Sequence, residues 1–106
     1  MDMTKYIKVT GVGGTTNTVI PCNQVCKILR DGGAPYNIVR IEYFDTDGDA
    51  KLVRLETAFT TEALNVAICN FLADKIVEAL QLPYEKPMLE IPADGFPSPI
   101  ISVQIQ

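Results

Sequence analysis

No histidine occurs anywhere in this chain. No Ser-His or Cys-His pair can therefore form. Cysteine is scarce as well: Cys22, Cys26 and Cys69 complete the count. Neither a four-cysteine zinc site nor one of two cysteines and two histidines can be built from one chain. Buried, reduced thiols are the expectation for all three. No apolar run reaches membrane-spanning length, and MDMTKYIK at the N-terminus lacks the apolar core of a signal peptide. The expectation is a soluble, intracellular protein. Positive charge is in short supply, with a net charge of −4. That balance argues against a protein that coats polyanions, although it leaves room for a local basic patch.

The chain's 106 residues suit one domain, and its 47% hydrophobic content supports a packed core rather than disorder. A core this small gains from partner subunits. KYIKVTG (5–11) reads as a strand with Ile7 and Val9 on one face, followed by a flexible turn, GVGGTTNT. TVIPC and VCKILR flank Pro21, which bars a central-strand position there. They form one sharply bent strand or two short ones. DGGAPYN (31–37) is a loop.

NIVRIEYF (37–44) alternates, with Val39, Ile41 and Tyr43 opposed to Arg40 and Glu42; KLVRLET (51–57) sets Val53 and Leu55 against Arg54 and Glu56. Two registers are open for this hairpin. One pairs Glu42 with Arg54 and Arg40 with Glu56. The other follows the turn chemistry of DTDG, with Gly48 left-handed, and sets Arg40 against Arg54.

DTDGDAKLVRLE (45–56) imitates an EF-hand loop, with Asp45, Asp47 and Asp49 at positions 1, 3 and 5 and Glu56 at position 12. The flanks are strands rather than helices. Ala50 replaces the required glycine, and Val53 offers no oxygen. A strand would carry Glu56 roughly 20 Å from the aspartates. The expected reading is an acidic hairpin tip that binds no metal. TGVGGTTNT lacks the Lys-Ser/Thr of a P-loop and no helix follows it. No pair of carboxylates is marked as buried, so the chain is expected not to be an enzyme and to need no cofactor.

One long helix is predicted over Thr61–Leu82, capped by Thr60 or Thr61 and stopped at Pro83. Leu64, Ala67, Ile68, Phe71, Leu72, Ile76, Ala79 and Leu80 form one apolar stripe; Val66, Cys69, Ala73 and Val77 form a second. Glu62, Asn65, Asn70, Asp74, Glu78 and Gln81 are left as a narrow polar strip. A helix of about 22 residues is ~33 Å long, and one small sheet cannot cover both stripes. Deep burial within one subunit is the simple alternative. The area argument favours a homo-oligomer in which Val66, Ala73 and Val77 touch a neighbour. Residues 83–106 hold five of the seven prolines and form an extended arm of the same domain. The arm ends in a strand, PIISVQIQ, that returns to its own sheet or adds to a neighbour's edge.

Seven of the nine basic residues precede the helix: Lys5, Lys8, Lys27, Arg30, Arg40, Lys51 and Arg54. Seven acidic residues accompany them, so the strand half is neutral and the acidic excess lies in the helix and arm. Lys27, Arg40 and Arg54 fall on strand faces opposite apolar ones. With Tyr6 and Tyr36 they are the candidate nucleic-acid-binding residues, against the plain alternative of charges that solvate a sheet.

The succession KYIKVTG, TVIPC-NQ-VCKILR, NIVRIEYF-DTDGD-AKLVRLET and TTEALNVAI resembles a family of small uncharacterised proteins from marine metagenomes, of cyanophage type, over roughly residues 5–82. VIPCNQVCKIL and LETAFTTEAL carry most of the likeness. The resemblance implies an α+β fold: a bent, five-stranded antiparallel Sm-like open barrel (residues 1–82 with its helix) and a tendency to form rings. Two features depart from Sm proteins: their sequence signatures lack counterparts here, and the helix follows the strands. No binding residue is carried over. The expected function is that of a non-enzymatic, ring-forming phage-type protein that binds RNA or single-stranded DNA. The alternative is a structural or assembly component of a phage particle that binds only protein. The matching location is the cytoplasm of an infected host cell, or the virion.

Overall fold

The computed structural model describes residues 4–11, 19–30, 33, 36–44, 47–58, 60–83 and 85–105, without the side chains of Val25, Cys26 and Ile105. Most of the glycine-rich turn (12–18), Asp45 and part of the 31–37 loop lie outside the described residues. The fold is α+β, with seven strands and one α-helix among the described residues. In order they are β1 (Tyr6–Thr10), β2 (Val19–Pro21), β3 (Val25–Arg30), β4 (Ile38–Phe44), β5 (Ala50–Thr57), α1 (Glu62–Leu80), β6 (Met88–Pro92) and β7 (Ile100–Ile105).

The strands form two sheets, ordered β2-β1-β6 and β3-β4-β5-β7. The five strands expected before the helix are present. They are divided between the sheets, which do not close into one five-stranded barrel. Pro21 is the physical reason for the division. It ends β2, and a 3-10 turn over Cys22–Gln24 turns the chain into the other sheet. Strands that switch sheets at such bends make the corners of packed-sheet folds. Both strand prolines, Pro21 and Pro92, lie on edge strands, where a missing N–H breaks no interior ladder.

The proline-rich arm returns to its own molecule twice. Met88–Pro92 runs parallel to Tyr6–Thr10 in full register, a strand that composition concealed. β7 then pairs antiparallel with β5. A bulge at Glu56/Thr57 shifts that register: Thr57 meets Ile100 and Glu56 meets Ser102. Ile100 is therefore buried and Ile101 exposed, the reverse of simple alternation from Ile101.

One core fills the space between the sheets and α1. Ile7, Ile20 and Ile91 come from the smaller sheet, and Val39, Ile41, Val53, Leu55 and Val103 from the larger. Ile68, Leu72, Ile76 and Ala79 come from the helix. Thr61 is the helix N-cap, its Oγ1 accepting from the Leu64 N–H at 3.2 Å. Of the stripe expected in the core, Leu64 and Leu80 are instead exposed. Asn65, placed on the polar strip by its chemistry, is fully buried. Its Nδ2 donates to the carbonyls of Tyr36 (3.0 Å) and Ile38 (3.3 Å), pinning the entry to β4, where Tyr36 has a φ of +56°.

Lys5 is a second buried polar tie, at 6% exposure. Its Nζ donates to the Pro83 carbonyl at 2.9 Å, beyond the helix C-terminus, where a cation also suits the helix dipole. Its N–H donates to Asn23 Oδ1, and its carbonyl accepts from the Cys22 N–H, both at 2.7 Å. The arm is further held by Phe96, whose ring lies 4.8 Å from that of Phe71 on α1.

Candidate nucleic-acid interface

The β4–β5 ladder determines which charges meet. Phe44 pairs with Ala50 and Ile38 with Glu56, so Arg40 stands directly opposite Arg54. Of the two registers open to the sequence, the hairpin takes the one that follows the turn chemistry. Gly48 adopts a φ of +85°, a conformation glycine reaches without the strain a side chain would add. The same register keeps Val39, Ile41, Val53 and Leu55 facing the core. The alternative register, shifted by two residues, would keep the same residues inward, so the turn decides between them and a like-charge contact of roughly 0.2–1 kcal/mol is tolerated on the outside.

The solvent side of the four-stranded sheet can be read as rows across the strands. Leu29, Arg40, Arg54 and Gln104 form one row; Lys27, Glu42 and Leu52 form the next. Ile38, Glu56 and Ser102 lie beyond the arginine row on its other side. Lys27, Arg40 and Arg54 thus share one surface, as their strand parity implied. Arg54 Nη1 donates to Glu56 Oε2 at 3.1 Å, while Arg40 and Arg54 are both half-buried. Glu56 lies within a strand with its carboxylate turned to this arginine, an arrangement unlike the helix-flanked end of a calcium loop. Among the described residues no cluster of three or more metal-ligating acidic or cysteine side chains occurs.

Of the two tyrosines, Tyr6 is not brought to this face. Tyr6 lies on the smaller sheet, in register with Pro21 and Met88. Tyr36 lies before β4, with its carbonyl held by Asn65. An aromatic residue that does lie on the arginine face is Phe44, 41% exposed, which continues the outward parity of Arg40 and Glu42. Sequence reading treated it as a strand end. The alternation that turned Tyr43 inward was the signal that could have found it. Leu29, Ile38 and Leu52 supply further partly exposed apolar surface among the charges.

The remaining groups offer little chemistry. A cavity of about 240 Å³ at the ends of β1 and β6 is lined by Thr10, Gly11, Pro92, Ala93, Asp94, Pro99 and Ile100, with Asp94 its lone charge. Burial pushes the Cys22 thiol up to about 11. It also raises that of Cys69, against a lowering by the nearby Arg30 charge. Both thiols are free, and neither is poised as a thiolate at neutral pH. Val66, Ala73 and Val77 are all exposed on α1. Among the described residues no helix is long and apolar enough to cross a membrane.

No protein-family model matches the sequence, and neither a curated protein nor a solved structure shows significant similarity to it.

Proposed function

We propose that the chain is a non-enzymatic nucleic-acid-binding protein that holds RNA or single-stranded DNA on the solvent face of the four-stranded sheet. The observation that carries this reading is the direct opposition of Arg40 and Arg54 there, with Lys27 one row away and Phe44 two rows away on the same face. Two arginines on opposed positions of neighbouring strands are unfavourable alone and favourable around a phosphate, which a guanidinium can engage through paired N–H groups. Phe44 offers an unpaired base a surface to stack on, for about 1–3 kcal/mol. Glu42 and Glu56 interleave with these cations, so one subunit holds few uncompensated charges and binds weakly. Repeating the face in a homo-oligomer multiplies the phosphate contacts.

The phage-type, Sm-like and ring-forming parts of this reading are carried by the resemblance. The bend that passes the chain between sheets at Cys22–Gln24 is the feature in keeping with a bent barrel. A second reading, assembly with protein alone, is favoured by the exposed apolar side of α1, which has no chemistry for phosphate.

Retention of labelled single strands on filters at low and moderate salt separates the two readings. Weak binding that falls steeply with salt is expected, and Arg40→Glu with Arg54→Glu should abolish it. Failure of the wild-type oligomer to retain RNA or DNA at low salt rejects nucleic-acid binding and leaves the assembly reading.

A further inference from the structure

The exposed side of α1 has a pattern that becomes visible once the inward residues are known. With the buried positions Asn65, Ile68, Leu72, Ile76 and Ala79 set aside, and with the exposed Glu62, Leu64, Asp74 and Glu78 outside it, one exposed stripe is formed by Ala63, Val66, Asn70, Ala73, Val77 and Leu80. Their spacing is three, four, three, four, three. That is the a/d alternation of a helix–helix seam, sustained along the whole helix. No charged side chain falls among them. Of the large hydrophobic side chains exposed among the described residues, half lie on this one helix: Leu64, Val66, Val77 and Leu80.

The order of sizes along the seam is informative. A two-fold axis midway between Asn70 and Ala73 places Ala63 against Leu80 of a second copy, Val66 against Val77, and Asn70 against Ala73. Leu80, the bulkiest member, then meets an alanine, Asn70 meets another, and the two valines meet each other, so bulk is matched by space along the seam. A parallel arrangement would put Ala63 and Ala73 against themselves, leaving gaps, and Leu80 against Leu80. The antiparallel arrangement also sets the two helix dipoles in opposition. The helix is ~28 Å long. Two such faces, each about 10–12 Å wide, would remove on the order of 600 Å² from water, the area of a weak contact that forms only at high protein concentration.

We infer that α1 is an isologous dimer contact, in which two copies of this chain pair antiparallel across Ala63, Val66, Asn70, Ala73, Val77 and Leu80. The inference deepens the reading of Val66, Ala73 and Val77 as an oligomer contact and rests on that reading. It is independent of whether the sheet face binds nucleic acid. A two-fold contact closes on itself, so by itself it produces dimers; rings require a second, head-to-tail surface.

Sedimentation equilibrium without nucleic acid tests it, using the wild type, Val66→Lys, Val77→Glu and the double variant Val66→Lys/Val77→Glu. The wild type should reach twice the chain mass of 11.6 kDa at high micromolar concentration. Each single substitution should raise the dissociation constant by at least ~100-fold, because the two-fold buries each new charge twice. The double variant should recover the dimer, since every lysine then faces a glutamate. A parallel pair would instead set lysine on lysine. Both positions are exposed, so far-ultraviolet circular dichroism should be unchanged throughout. A wild type that stays monomeric overturns the oligomer contact itself, as does a Val77→Glu variant that still dimerises. Double variants that remain monomeric overturn the antiparallel pairing alone.

Discussion

The outer side of the four-stranded sheet and the outer side of α1 face solvent from opposite boundaries of one core, and their chemistry differs. On the sheet, charge of both signs alternates with partly exposed apolar groups, and two arginines are held together by a register chosen for other reasons. On the helix, an uncharged seam runs from Ala63 to Leu80. The difference shows how a small domain can separate two tasks. A strand offers alternate residues to solvent at about 6.6 Å spacing, which suits repeated polar contacts along an extended ligand. A helix offers a continuous narrow stripe, which suits another helix. Neither surface contributes much to folding, and that separates both from the core between them.

The largest expected effect comes from moving across the helix rather than along it. Leu72 is fully buried and Val77 is 54% exposed. Leu72→Ala should cost about 2–5 kcal/mol in denaturant unfolding, whereas Val77→Ala should stay within ~0.5 kcal/mol in the monomer. Similar costs for the two would mean that the seam is covered within one chain.

A smaller effect is expected at Asn65, the polar residue that ties helix to sheet. Asn65→Ala strands the Tyr36 and Ile38 carbonyls and should cost about 1–3 kcal/mol. Its Oδ1 is buried without a partner among the described residues, which keeps the loss at the lower end.

Alkaline pH probes the interior without mutation. Burial raises Cys22 from 9.0 to about 11, so the folded state holds that proton more tightly than the unfolded state. The stability this contributes is complete below pH 9.0 and is lost as pH rises through 11. Urea midpoints should fall over that window by the equivalent of about 3 kcal/mol at most, and Cys22→Ala should remove that share of the pH dependence. The least change in stability is expected on the sheet face. Arg40→Gln should move unfolding free energy by under ~0.5 kcal/mol while weakening any retention of single strands.

Much of the fold was legible because it follows from alternation. Val39, Ile41, Tyr43, Val53 and Leu55 face the core as their period-two spacing requires. Thr61 caps α1 as its hydroxyl and position suggest. The features that escaped depend on distant partners. Met88–Pro92 becomes a strand because Tyr6–Thr10 lies beside it, and no local pattern in a proline-rich arm announces that. Asn65 is buried because two carbonyls 27 and 29 residues earlier in the chain need donors. The bulge at Glu56/Thr57 exchanges Ile100 and Ile101 for a reason visible only in the paired strands. For the candidate site, parity placed Lys27, Arg40 and Arg54 together. It could not show that Tyr6 belongs to the other sheet, because that depends on the corner at Pro21.

The most direct test of the sheet-face proposal is a two-dimensional nitrogen–proton NMR titration of the protein with a short unlabelled single-stranded oligonucleotide at low salt. Shifts are expected along β3, β4 and β5 around Lys27, Arg40, Phe44 and Arg54, reversed by added salt, with Val66 and Val77 on α1 unmoved. Shifts centred on α1, or none on the sheet at any oligonucleotide concentration, would contradict it.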